Sequence, residues 1–435
     1  MKRTLFCKMI SAAAFLLVFS ASLFAQENSK VEGLVNPKHR RQVITVGGQQ
    51  ADIQEHTSDA IQIALDAINS RGGGLVKLSP GKFLITSPVR LYSNTALVGS
   101  GKETVLQKCD GFRTNFVVDA DYGMLKATVK DVNGFEVGMG IQLFDDEHNN
   151  GWDVTTAKIT DIIGNVIFFD NSTVHDYIAS KNGTVSNACS IVEGIGVEGV
   201  QIAHFVVEGN KGTNDYINGC RGGGIYLHKS RGCLIEGVKV NEFNGDSFSW
   251  QITENITVRN CEACYGNGLG FHPGTGSDHT SLKNCVSHHN KHDGIFLCWR
   301  VQNGIFKENV IYSNGRYGIS IGHQDTDNIF ENNHVFENSQ HGVYFRNETE
   351  QNSGHRNTFR NNIIENNGSP SFKAYGFYIG GRTNDIIIEN NVIRSTNKGN
   401  QVAAVCVGKY SSGVQMKDNK ISGCAAEVRQ NTDDR

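Results

Sequence analysis

Four segments decide the fold: GFHPGTGS (residues 270–277), GIFLCWRV (294–301), GISIGHQD (318–325) and GVYFRNET (342–349). Their first glycines, Gly270, Gly294, Gly318 and Gly342, are each 24 residues apart, and the same spacing links Asn290, Asn314 and Asn338 and joins Cys261 to Cys285. Each segment opens with a short apolar alternation and breaks into polar residues, with Gly and Asn at the turns and no helical stripe. Self-similarity at this period marks a repeat architecture in which a unit buries its apolar edge only by stacking on its neighbours. Leucine-rich repeats share the period, but their leucine consensus is absent. The reading is an all-β chain, a parallel β-helix (solenoid) whose equivalent residues form ladders about 4.8 Å apart.

The alternation assigns faces. Phe271, Ile295, Ile319 and Val343 form one inward column, and Pro273, Leu297, Ile321 and Phe345 form a second two residues on. The column between them, His272, Phe296, Ser320 and Tyr344, must point away from the core. Trp299, Arg300, His323, Asp325, Arg346 and Glu348 follow at the strand ends. Earlier coils end in Gly224-Ile-Tyr-Leu-His-Lys229 and Gly245-Asp-Ser-Phe-Ser-Trp250, and a later one, Gly376-Phe-Tyr-Ile-Gly-Gly-Arg382, follows a short insertion. The Asn290, Asn314 and Asn338 column reads as a ladder of stacked amides.

Composition agrees with a turn-rich fold: 435 residues carry 49 Gly and only 5 Pro. A basic start at Lys2-Arg3, an apolar run from Ile10 to Phe24 and small residues before Gln26 read as a signal peptide cut after Ala25, so the mature chain is expected to be exported, periplasmic or extracellular. No later segment is apolar enough to span a membrane. Losing Lys2, Arg3 and Lys8 takes the formal charge from −3 to −6, which argues against a nucleic-acid binder. Ten of the 11 Cys remain, scattered without metal-type spacing. Cys261-Glu-Ala-Cys264 has no second pair and reads as buried or stacked thiols rather than a zinc site.

Upstream, Asp59-Ala-Ile-Gln-Ile-Ala-Leu-Asp-Ala-Ile68 is the one clear helical run, and it reads as a cap over the open end of the solenoid. Between about 120 and 190 the period is lost, and Ala157–Ile163 and Val166–Phe169 read as strands of a small insertion. The expected division is a signal peptide at 1–25, a linker at 26–50, cap and first coils at 51–118, the β insertion at 119–190, and the parallel β-helix at 191–435.

The stretch TSDAIQIALDAINSRGGGLVKLSPGKFLITSPVRLYSNTALVGSG, residues 57–101, together with the Asn/Gly coils, resembles the N-terminal cap and first coil of pectate-lyase-like right-handed β-helix proteins. The resemblance implies a right-handed solenoid and a place among polysaccharide lyases, inverting glycosidases, uronate epimerases and phage tailspikes. It transfers no catalytic residue. The NTD, DD, GHG and RIK elements of polygalacturonases are not reproduced as a set, Gly322-His323 being a partial echo. The DPHE element of alginate epimerases is missing, because Phe271-His-Pro-Gly274 matches it poorly.

Neighbouring coils are expected to align Lys229, Asp246, His272, Arg300, His323, Asp325, Arg346 and Glu348 along one edge, the candidate catalytic strip. Trp250, Trp299, Tyr344, Tyr378 and Arg382 are the candidate sugar-binding groups. Five coil steps span roughly 24 Å, enough for several sugar residues. The plain structural readings stand beside these: His272 bracing a loop, His323 and Asp327 serving turns, Arg346 with Glu348 as a surface ion pair.

Two chemistries fit an oligo- or polysaccharide in such a groove. In β-elimination from a uronide, His272 or Lys229 would be the base, and Arg300, Arg346 and His323 would grip the carboxylate. Inverting hydrolysis would pair Asp325 with Glu348, or Asp246 with Asp325. Elimination is the expected route, because His and Arg outnumber carboxylates in the strip. A non-catalytic carbohydrate-binding or adhesion solenoid is the third reading. No metal site is assigned; calcium at Asp325 and Asp327 would rest on two carboxylates near a turn, which is weak support.

Overall fold

The computed structural model describes residues 42–396 and 400–431, so the expected signal peptide lies outside the described residues. Each coil contributes three short strands, one to each of three long parallel sheets. In one coil they are Phe271–Gly274, Ser281–Lys283 and Val286–His288. Among the described residues the sheets hold 11, 12 and 11 strands. The expected register is found: Phe271 pairs with Ile295, Ile295 with Ile319, Ile319 with Val343, and Val343 with Phe377 beyond the insertion. Both inward columns enter one continuous core running the length of the solenoid.

Helix α1 (Ser58–Asn69) closes the N-terminal end. Thr57 caps it, its Oγ1 accepting from the Ala60 N–H at 3.2 Å. Ala60, Ile61, Ala64, Leu65 and Ile68 then seal the core against Val76, Leu78 and Phe83. One strand, Val43–Val46, lies in the stretch expected to be linker. Its four residues are too few to show a period, and it is fixed by pairing with Gly74–Leu78.

Amide ladders tie the coils at their corners. Asn290 Nδ2 donates to Asn314 Oδ1, Asn314 to Asn338, and Asn338 to Asn367, each at 3.0 Å. A second ladder, Asn309, Asn333, Asn362, Asn391 and Asn419, runs at another corner. The described cysteines are all free thiols. Cys261 stacks on Cys285 inside the core, whereas Cys264 faces outward with its thiol against Asn241 Oδ1 at 3.3 Å.

The insertion is a six-stranded antiparallel sheet running from Arg113–Asn115 to Thr184–Ser186, with its own core around Phe116, Ile141, Leu143, Ile159, Ile167 and Tyr177. It packs beside the sheet that carries His272. Gln142 Nε2 donates to the Tyr216 carbonyl at 3.1 Å, and Arg221 Nε to the Trp152 carbonyl at 3.1 Å.

Candidate active site

The outer face of the sheet containing Phe271–Gly274 carries two columns. Tyr226, Ser249, His272, Phe296, Ser320, Tyr344 and Tyr378 form the first. His228, Gln251, Gly274 and Cys298 form the second, two residues along each strand. The insertion and the loop 209–224 overhang the N-terminal part of this face. Gly219 shows how closely: a Cβ there would come within 1.9 Å of Asp246 Oδ2 and 2.5 Å of His272 Nδ1.

Beneath that cover His272 Nδ1 donates to Asp246 Oδ2 at 2.7 Å, and Asp246 Oδ1 accepts from the Leu269 N–H. The two side chains are 4% and 2% exposed, so the pair is closed from bulk water. Burial alone would push the imidazole down, but the bonds to Asp246 and to the Cys298 thiol outweigh it and take the ring up to about 9. His272 is therefore cationic at neutral pH. That protonation state differs from the neutral one a base, the role expected from sequence, would need.

His228 is the opposite case. Half-buried under the Trp152 ring, at 5.6 Å between centroids, it has an Nε2 without a hydrogen-bond partner. Burial first, then Lys229 and Arg221, bring its imidazole down to about 4, so it is neutral at pH 7. Arg221 is held over Trp152 at 5.1 Å. Sequence reading passed over His228, although the alternation that turns His272 outward does the same for Tyr226 and His228. Trp152 and Arg221 lie in aperiodic segments and left no signal.

Several expected site residues have other duties. Trp250 is fully buried, in register with Leu227 and Pro273, and its indole N–H donates to Thr280 Oγ1 at 3.0 Å; it cannot stack on a sugar. Asp325 is also fully buried, its oxygens accepting from the Val301 and Gly322 N–H groups and from Arg346 Nη2. Burial raises it to about 6, against the opposing pull of Arg346 and those amides. Asp325 is thus a corner brace, not one of a pair of accessible catalytic carboxylates. Arg346 is spent bridging coils, donating also to the Leu297 carbonyl and Ser320 Oγ, with its guanidinium over Phe296 at 4.6 Å. Asp327 is held separately by a two-bond pair with Arg356, so Asp325 and Asp327 do not share a cation site.

Tyr344 stacks on Tyr317 at 4.1 Å and on Tyr378 at 5.5 Å, so these rings cover each other's faces, and the Tyr378 hydroxyl accepts from Asn431 Nδ2 at 3.0 Å. Trp299 is 49% exposed, with His323 stacked on one face at 4.0 Å and Arg300 at 5.9 Å. Glu348 lies 3.6 Å from His323, and Arg382 sits over Tyr410 at 5.0 Å. Trp299, Arg300, His323, Glu348 and Arg382 thus occupy the turns at the edge of the same sheet. Lys229, in an exposed left-handed turn at φ 51°, lines an open hollow with Ser93, Glu198, Arg231 and Glu254. Asp293, outside the strip expected from sequence, is buried two strands from Asp246, with Oδ2 unpartnered and its carboxyl pushed up to about 6 by burial.

Residues 41–264 match the family model described as rhamnogalacturonase A/epimerase, pectate lyase-like, which spans more than half of the chain. The chain belongs to that family. A second model, for the right handed beta helix region, matches residues 194–359 and 240–393. As a member of the pectate-lyase-like family the chain is similar in fold to the A-module of the Azotobacter vinelandii mannuronan C-5 epimerase AlgE6, with a TM-score of 0.58, 17% identity, and 86% of this chain and 93% of that one covered. Among curated proteins, the mannuronan C5-epimerase AlgE6 of the same organism is 34% identical over 67 residues, 15% of this chain and 8% of the relative. Alginate lyase 7, also from Azotobacter vinelandii, is 23% identical over 283 residues, 63% of this chain and 22% of the relative. The chain spans less than a quarter of either curated relative.

Proposed function

We propose that this protein is an exported carbohydrate-active enzyme that cleaves an acidic, uronate-containing polysaccharide by β-elimination. One observation carries the reading: two imidazoles on the same outer face have their proton affinities driven apart, His228 to about 4 and His272 to about 9. Environments that split a pair of titratable groups in this way assign a base and an acid at the working pH. The two sit two strands and two residues apart, roughly 12 Å between Cα atoms, with side chains that can lean together across a bound sugar.

In the proposed reaction His228 Nε2, buried under Trp152 in the free protein, takes the C5 proton of a uronate residue once substrate displaces that cover. The electron pair left behind forms the C4–C5 double bond as the C4–O bond breaks. His272 gives its proton to the departing oxygen once substrate shifts the loop that covers it, and Asp246 balances the charge until then. Arg221 and Lys229, the cations that act on His228, would neutralise the uronate carboxylate as its charge grows. Hydrolysis fits less well. It needs two carboxyl groups free to act on water and leaving group, and in both expected pairs Asp325 is committed to Arg346 and two backbone N–H groups, with Asp246 committed to His272.

Epimerisation at C5 is the second reading. It begins with the same proton removal, and the two curated relatives carry the names of an epimerase and a lyase. Incubation with a panel of uronate polysaccharides in deuterated water separates the outcomes. Unsaturated-product absorbance is expected. Deuterium at C5 without chain shortening would assign epimerisation, and new reducing ends without that absorbance would assign hydrolysis. Binding without turnover on every uronate substrate would overturn the enzymatic reading in favour of a binding solenoid.

A further inference from the structure

We propose that Glu262, Cys264 and His288 form a binding site for a borderline-soft divalent cation of the Zn2+ class, on a different sheet from the candidate active site. Glu262 and Cys264 are two apart on one strand and so share its outer face. His288 is the register partner of Cys264 on the next coil. A carboxylate oxygen, the thiol sulfur and an imidazole nitrogen all lie within 4.8 Å of one another. Ligands about 2.0–2.3 Å from a tetrahedral zinc need only modest closure from that separation.

The surroundings favour a site over a chance cluster. His288 Nδ1 is engaged by His289 Nδ1 at 2.8 Å, which leaves Nε2 directed at Glu262 Oε1, 3.1 Å away. Fixing one imidazole nitrogen to aim the other is how proteins orient metal-binding histidines. The ring is further held by stacking on Tyr312 at 4.9 Å. Lys239 already places a positive charge in the cluster, its ammonium donating to Glu262 Oε1 at 2.9 Å. Its side chain is 37% exposed and can swing outward. Cys264 and His288 are buried, whereas Glu262 is more open, which gives an ion a side from which to enter. The fourth position is left for water.

When the cation binds, the Cys264 S–H bond breaks, its proton goes to solvent, and a metal–thiolate bond forms as Lys239 withdraws. The competing description is an ion-pair network in which Lys239 is the final cation. The two predict opposite effects of Lys239→Met: a site loses its competitor and tightens, whereas a network has nothing left to bind.

Tag-free protein is dialysed against Zn2+ to measure stoichiometry, and separately loaded with Co2+ to read the thiolate-to-cobalt charge-transfer absorbance. One ion per chain and that absorbance are expected. Lys239→Met should tighten binding by about tenfold or more, and His289→Phe should weaken it by about 10–100-fold. Cys264→Ser should abolish the absorbance, with the melting temperature checked to confirm that the variant folds. Failure of both the wild type and Lys239→Met to bind stoichiometrically would overturn the proposal. Binding that persists when Cys264→Ser and His288→Gln are combined would do the same.

Discussion

Asp246→Asn isolates the charge that keeps His272 protonated. The amide retains an oxygen for the Leu269 N–H and sets an N–H where Oδ2 accepted from Nδ1 at 2.7 Å. The neutral ring can then take the other tautomer and keep its place. Shape survives and the countercharge does not. With Asp246 gone and only the Cys298 contact left to oppose burial, the imidazole should fall from about 9 toward its ordinary 6.5. That fall corresponds to about 3 kcal/mol. Because the folded value lies above the unfolded one, the folded chain holds a proton that the unfolded chain has released between pH 6.5 and about 9. The stabilisation is complete below that window and is lost as pH rises through it. The stability gap between wild type and variant should therefore shrink by about 3 kcal/mol from pH 6.5 to beyond pH 9. Guanidinium unfolding of both proteins at matched denaturant measures it, comparing differences because a solenoid need not unfold in one step. In a His272→Gln background the same Asp246→Asn change should show no pH dependence across the window. A gap of constant size from pH 6.5 upward in the otherwise wild-type protein would refute the reasoning.

Turnover should follow the same two groups. kcat/KM on a cleaved uronate polymer should rise through about pH 4 as His228 loses its proton and fall through about pH 9 as His272 does. His228→Gln should lower kcat by about 10²–10⁴-fold with little change in KM, read from initial rates. Arg346→Met should cost about 3–5 kcal/mol in unfolding experiments, because it strands the Asp325 carboxylate in the interior without its cation. Asn314→Ala removes the partner of the Asn290 and Asn338 amides and of the Ser287 carbonyl, at about 1–3 kcal/mol for each group left unpaired. The same change at Asn419, at the end of its ladder, should lower the melting temperature less.

The periodic part of the chain could be read because stacking imposes one constraint on every coil. Residues 24 apart must share a column, and apolar alternation then fixes which columns face inward. The reading faltered where a coil changes length. Phe248 pairs with Phe271 at a spacing of 23, and that slip concealed that Trp250 shares the inward column of Pro273. It faltered again where a polar side chain does a backbone task. Asp325 Oδ1 accepts from Val301 N–H much as Asn328 Oδ1 accepts from Gly304 N–H, so a carboxylate that looked like site chemistry is one rung of a corner ladder. The tyrosines failed as sugar platforms for a related reason. A column that repeats an aromatic every coil stacks the rings on each other and hides their faces.

The chemistry depends on what the period cannot describe. An outward column on a bare solenoid is solvated, and a His–Asp pair there would titrate close to its ordinary values. What separates His272 from His228 is the cover: the 209–224 loop closes over the first and the Trp152 segment rests on the second. Excluding water strengthens the Asp246–His272 attraction, and it equally disfavours charge on a histidine given no anion. One burial step therefore raises one imidazole and lowers the other, the sign being set by whether a carboxylate lies within reach. The repeats supply a rigid floor that fixes those two positions and sets Asp246 beside only one of them, and the aperiodic cover, the 209–224 loop over His272 and the Trp152 segment over His228, supplies the burial.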